Sequence, residues 1–589
     1  MASKTILSLV LMLTACGGAP RYPLAAPLAN DTDRRPVSVS CEERPSEKDA
    51  KHVACAPEPY VSPLVWDAAD NSIFRPLARV FAVDPAGEAV NVNALDEVPD
   101  SAWFENRLGV GKLTREELLR GACTEDEMLD PSAAAPESFV IDQGKANGAS
   151  AGFRIKVDGQ RKYMLKTDTK EQPERPSAAS AIGAAIYHAV GFNTSCEQVV
   201  YLDPRILKLA PGLKVTDNTG VTRHFDRAAL GRVLGQATRR GDLVRLQASA
   251  WLPGYLIGPF RYEGTRSDDP NDVIAHEDRR DLRGARVLAA WINHFDAREQ
   301  NTMDSWIAVN GKVKDSSPGF VRHYYLDTSD SFGSEWMDDG ISRRLGNSYL
   351  LDFGDIATDF VTLGTKSEPW ERAERTPGME DFGYFHHRDF DPEGWKNEYP
   401  NPAFSRASER DNAWMARILS RFDRDDIRAL VTLGRFSNPE QAAFLSGVLE
   451  GRLERILERY FLRLSPLGEA RVEGDVLALT DLARRRSVRP AQSFTYRAVV
   501  ASPDGVRAVR PDVGAAGSVR ITLPHGVFAA GVAANDASRY RVVTIDNGAS
   551  RYPLRAHLYD LGAGRGFRLV GIERPEQSFG DLAKDRVEP

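Results

Sequence analysis

Residues 292–301 read Ile292-Asn293-His294-Phe295-Asp296-Ala297-Arg298-Glu299-Gln300-Asn301, which sets a His, an Asp and an Asn at the spacing H-x-D-x-x-x-x-N. A carboxylate at Asp296 can take the proton of an attacking hydroxyl, and the Asn301 amide oxygen can reach a metal ion that bridges nucleotide phosphates. That is the chemistry of phosphoryl transfer. Arg298, Glu299 and Gln300 are hydrophilic, as suits a loop at a surface cleft, and His294 suits a supporting rather than a chemical role.

Such residues need elements to hold them. Ser138-Phe139-Val140-Ile141-Asp142 reads as a short strand, and Phe153-Arg154-Ile155-Lys156-Val157 alternates apolar and charged residues as a half-buried strand does. Between them, Gly144, Gly148 and Gly152 belong to a loop of small residues over which backbone amides can approach phosphate oxygens. Asp158-Gly159 signals a tight hairpin into Lys162-Tyr163-Met164-Leu165-Lys166, which delivers Lys166 towards those phosphates. Downstream, Arg322-His323-Tyr324-Tyr325-Leu326 predicts a strand with Asp327 at its end, placed to be the second metal ligand. A literal Asp352-Phe353-Gly354 competes for that role but lies much farther along the chain. Helical periodicity is expected over residues 177–191, 278–293, 411–434 and 438–464. Residues 203–245 read as a basic, irregular insertion.

Taken together, the segments resemble the atypical kinase superfamily that includes the HipA-like, phosphatidylinositol-kinase-like and spore-coat kinases, and more specifically a group of bacterial lipoproteins with this lobe arrangement. The resemblance runs over roughly residues 95–465, through Asp100-Ser101-Ala102-Trp103-Phe104, the glycine loop, Lys166, Asp268-Asp269-Pro270-Asn271-Asp272, His276-Glu277-Asp278-Arg279-Arg280 and the His294 loop. It implies an α+β, two-lobed protein-kinase-like fold that binds ATP with Mg²⁺ or Mn²⁺. By the same resemblance Lys166 binds phosphate, Asp296 is the catalytic base, and Asn301 and Asp327 hold the metal. One departure stands out: the helix after the Lys166 strand opens Arg175-Pro176-Ser177-Ala178-Ala179-Ser180, without the acidic partner such a lysine has in the family. Only Glu171 and Glu174, ahead of Pro176, offer a carboxylate nearby in sequence.

The amino terminus carries a different signal. Lys4 precedes the apolar run Ile6-Leu7-Ser8-Leu9-Val10-Leu11-Met12-Leu13, then Thr14-Ala15-Cys16 with Gly17 after it. This resembles a bacterial lipoprotein signal, too short to span a bilayer, with Cys16 as the lipidated residue. Gly17 in the next position favours the outer membrane, facing the periplasm or the cell surface. Of the five cysteines, Cys41, Cys55, Cys123 and Cys196 then remain in a compartment that permits disulfides. Cys41 with Cys55 is the leading pairing, while Cys123 and Cys196 either clip the amino-terminal lobe or stay as buried free thiols.

The expected organisation is a signal peptide over 1–16, a disordered tether over 17–60, an amino-terminal lobe over 61–258 and a carboxy-terminal lobe over 259–465. A β-rich, sandwich-like domain over 466–589 follows, marked by short apolar strands between Gly and Pro turns. The net charge of −7 gives no electrostatic footprint for nucleic acid. Gly148-Ala149-Ser150-Ala151-Gly152 is also a literal G-x-S-x-G, but a hydrolase elbow needs a helix straight after the Ser, and here a strand is expected. The expected function is a lipid-anchored atypical kinase acting on an unidentified hydroxyl-bearing substrate. Its competitor is a catalytically silent pseudokinase that serves as a binding or scaffold module for an envelope protein.

Overall fold

The structure, a computed structural model, describes residues 21–28, 31–44, 52–79, 87–145, 151–216, 221–313, 316–336 and 338–584. It is a mixed α+β chain, 30% helix and 23% strand, with several separate sheets and no barrel among the described residues. Alternation builds the first large sheet. Along β1 (Phe139–Lys145), β2 (Gly152–Val157) and β3 (Arg161–Lys166), Phe139, Ile141, Phe153, Ile155, Tyr163 and Leu165 point to one buried face. The turn between β2 and β3 puts Asp158 at φ 51° and Gly159 at φ 70°, the left-handed pair that a two-residue hairpin requires.

α1 (Arg175–Val190) is rich in Ala, Ser and Ile, and every residue but His188 is buried. A helix without a polar face has to lie inside; this one lies over the sheet face opposite the apolar cluster, against β4 (Glu197–Leu202) and β6 (Leu243–Ala250). β5 (Leu207–Leu209), inside the expected insertion, joins the sheet in parallel with β1. The full order is Arg239–Arg240, β6, β3, β2, β1, β5, with β4 paired to β6.

α2 (Arg280–Ile292) is the central helix of the largest core, packed on α3 (Glu409–Leu419) and α5 (Pro439–Phe461). The single periodic stretch expected over 411–434 is broken, because Asp423 forms a capping box with Asp426 and starts α4 (Arg424–Thr432) afresh. Between α2 and α3 run β7 (Thr302–Ala308) and β8 (Gly319–Tyr325), an antiparallel pair.

After residue 465 two antiparallel sheets share one core, with Leu477, Leu479, Val519 and Ile521 facing Val500, Val543, Ala556 and Leu558. This region is not a separate packing unit. Leu482, Ala483 and Phe494 belong to the same core as α2, α3 and α5, and the Arg574 guanidinium pairs with buried Asp96.

Residues expected to form a disordered tether touch the rest of the protein at several points where they are described. The Tyr559 hydroxyl donates to the Tyr22 carbonyl at 2.9 Å, Asp31 pairs with buried Arg279 at 2.8 Å, and Val37 bridges Gly319. Composition misled here because a few apolar side chains and two well-placed carboxylates suffice to dock an otherwise polar segment. Cys41–Cys55 and Cys123–Cys196 are both disulfides. Among the described residues no helix is long and apolar enough to cross a membrane.

Candidate functional site

Sheet register builds one wall of the site. Lys145, at the end of β1, is the Cα partner of Gly152, and Gly152 is the partner of Lys166, which in turn faces Gln247 on β6. Residues directly opposite on neighbouring strands share a face, so Lys145 and Lys166 stand in one row on the side away from the apolar cluster.

The opposite wall comes from the two ends of the β7–β8 pair. α2 stops at Asn293, whose φ of 56° turns the chain into the His294 loop, and buried Arg452 caps the helix end by donating to Ala290 and Trp291 carbonyls. Asn301 sits just before β7 and Asp327 just after β8, and the Thr302–Tyr325 pairing holds these ends together, with Leu326 N–H donating to the Asn301 carbonyl at 2.9 Å. The turn after Asp327 is pinned by α1. A Cβ on Gly183 would lie 2.5 Å from the Thr328 hydroxyl, so only glycine lets helix and turn approach this closely.

Lys166, Asp296, Asn301 and Asp327 consequently line one cavity of about 780 Å³, together with Lys145, Arg175, Arg298, Asp330 and Glu398. Lys166 Nζ is 2.8 Å from Asp327 Oδ2, and the Ser329 hydroxyl donates to Asp327 Oδ1 at 2.6 Å. Burial works against the Lys166 ammonium, yet Asp327, with Glu197 and Asp330 behind it, lifts its pKa above the usual lysine range. Burial likewise disfavours the Asp327 carboxylate, but the Lys166 and Lys145 ammoniums and the bonds from Lys166 and Ser329 hold its pKa well below the usual range.

Asp296 sits in the opposite field. Burial pushes its carboxyl well above the normal range, and Asp330 and Glu398 push in the same direction against the Arg298 guanidinium. Arg298 Nε lies 2.8 Å from Asp296 Oδ1 but is misaligned for a hydrogen bond, and the same guanidinium pairs with Glu398. The Asn301 amide nitrogen donates to the Asp296 carbonyl at 2.8 Å, which commits the nitrogen and leaves the oxygen for a ligand. His294 is fully buried beside the Tyr187 hydroxyl at 2.9 Å, and burial lowers its pKa to about 4, so it is a neutral support for the loop.

Other expected residues lie elsewhere. Asp352 caps the helix Phe353–Thr362 and pairs with Lys396 at 2.5 Å, and it does not line the cavity. Gly144 and Gly152 flank the loop but are not lining residues. A Cβ on Gly144 would strike Val215 at 2.3 Å, and one on Gly152 the Leu165 carbonyl at 2.3 Å, so packing alone requires glycine at both. Gly148 and Cys16 fall outside the described residues.

Two residues had no sequence signal. Lys145 gave none because its place depends on register. Glu197 reaches the back of the Lys166 row from β4 and accepts from the Ser249, Ser195 and Ser180 hydroxyls at 2.6, 2.7 and 3.2 Å and from the Gln247 amide at 3.0 Å. Ser180 is on α1, and the Glu197 charge, which acts on Lys166 from β4, lies on a different element.

Among the described residues no three His, Cys, Asp or Glu side chains form a ready-made metal cluster. A Mg²⁺-type site does not need one, since one or two protein ligands usually join phosphate oxygens and water. Asp327 and the free Asn301 oxygen fit that requirement. No family model, curated protein or solved structure matches the chain.

Proposed function

We propose that this protein is a lipid-anchored, two-lobed kinase-like phosphotransferase of the bacterial envelope, which moves a phosphoryl group from a nucleotide such as ATP to a hydroxyl acceptor. One observation carries the reading: Lys166 and Asp327, which are 161 residues apart, meet in a single cavity with Asp296 and Asn301. The sheet with α1 would be one lobe, the assembly of α2 to α5 the other, and the cavity the cleft between them.

Asp327 and Asn301 would hold Mg²⁺ or Mn²⁺, which when bound offsets the charge of the phosphates. Lys166 would then turn from Asp327 to a phosphate oxygen, with Glu197 keeping its ammonium compensated from behind. Asp296 would accept the hydroxyl proton. Its raised pKa comes partly from two neighbouring carboxylates, so any cation entering the cavity favours the ionised, proton-accepting form. The lipid anchor rests on the signal ending at Cys16; fatty-acid labelling that marks the wild type and the Cys16→Ser variant equally would remove it.

A second reading, the silent envelope scaffold, is favoured by the Lys166–Asp327 ion pair, in which the two groups meant for the ligand hold each other. Calorimetric titration of the full chain with ATP, with and without Mg²⁺ or Mn²⁺, separates the two. The kinase reading expects metal-dependent binding that Asp327→Ala abolishes, and turnover of ATP to ADP, with the phosphoryl group passing to water or another hydroxyl, that Asp296→Asn slows by roughly 10²- to 10⁴-fold. Absence of metal-dependent binding leaves the scaffold.

A further inference from the structure

Resting on that reading, we propose that Lys145 is a second phosphate-binding residue, and that Lys145 and Lys166 together select nucleoside di- and triphosphates over monophosphates. The sheet register is the first support. One residue, Gly152, separates the two lysines in their row, so their Cα atoms are about 10 Å apart across two strand spacings. Extended lysine side chains from those points straddle a chain of phosphates rather than a single one. Gly152 has no side chain to stand between them, and a Cβ there is excluded by the Leu165 carbonyl.

The second support is electrostatic. Both side chains line the cavity that contains Asp296, Asn301 and Asp327. Two ammoniums side by side in a partly buried wall repel, and the effect is visible: burial first and Lys166 second push the Lys145 pKa down to about 8, against the pull of Asp327 and Asp330. Asp327 pairs with Lys166, and its charge also acts on Lys145. Both ammoniums act on the same space, and a polyphosphate entering it offers each of them a phosphate oxygen.

The test is calorimetric binding of ATP, ADP, AMP and adenosine, with Mg²⁺, to the full chain and to Lys145→Ala, Lys145→Arg and Lys166→Ala. Lys145→Ala is expected to weaken ATP and ADP by about tenfold or more while leaving adenosine unchanged. Lys145→Arg should restore ATP binding to within about threefold, since the charge rather than the packing is what matters. ATP binding that Lys166→Ala weakens and Lys145→Ala does not would overturn the Lys145 assignment alone. Equal loss of adenosine and ATP, or no rescue by Lys145→Arg, would also overturn it by showing damage to the pocket. A wild-type chain that binds no ATP would take down the kinase reading, and this assignment with it.

Discussion

Asp327 and Asp296 line the same cavity, the first half-buried and the second buried, and their carboxyl groups are shifted in opposite directions. Desolvation is the first cause at both sites and raises both pKa values. What differs is the company: Asp327 faces two ammoniums, whereas Asp296 faces one guanidinium, shared with Glu398, and the carboxylates of Asp330 and Glu398. The Asp327 carboxyl is therefore held ionised, while the Asp296 carboxyl is favoured in its protonated form. A site that has to bind a metal-chelated anion and then receive a hydroxyl proton needs that asymmetry, and burial alone would not create it.

The comparison breaks most readily at Asp327. Asp327→Asn leaves the Lys166 ammonium in a partly buried wall without its direct partner, and should destabilise the fold by about 2 kcal/mol at pH 7, a buried-pair cost discounted for the exposed edge of the carboxylate. Because the folded pKa of Asp327 is depressed, its contribution is present above the ordinary carboxylate pKa of about 4 and fades as pH falls below it. Urea denaturation at pH 7 and pH 3 should show the difference between wild type and variant shrinking at the lower pH.

Asp296→Asn should do the reverse, and less. With a raised folded pKa, Asp296 favours the fold most below about pH 4 and loses that contribution as pH rises towards the folded pKa. The amide cannot ionise, so the variant should be as stable as wild type or up to about 1 kcal/mol more stable at pH 8. A loss as large as that for Asp327→Asn would mean that Asp296 is a stabilised carboxylate, and the contrast between the two aspartates would vanish.

The smallest effect is expected at Asp352, the literal Asp-Phe-Gly position. Asn is itself a good helix cap, so Asp352→Asn should cost no more than about 1 kcal/mol, mainly from the Lys396 pair. Metal-dependent nucleotide binding should be untouched, and its loss would move the second metal ligand from Asp327 to Asp352.

Local patterns in the sequence determined a good deal. Alternation at Phe153, Ile155 and Val157 and the Asp158-Gly159 turn define β2 and β3, and the H-x-D-x-x-x-x-N spacing puts Asp296 and Asn301 on one loop, because these signals act over a few residues. Tertiary structure decided the rest. Register, which no local pattern encodes, brought Lys145 into line with Lys166. The end of β8 brings Asp327 to the cavity while Asp352 caps a helix elsewhere, and Glu197 acts on Lys166 from β4 because the fold, not the chain, makes them neighbours. The packed segment after Tyr22 and the shared core beyond residue 465 follow the same rule: charge pairing and apolar contact between distant segments depend on where they meet, and composition does not record that.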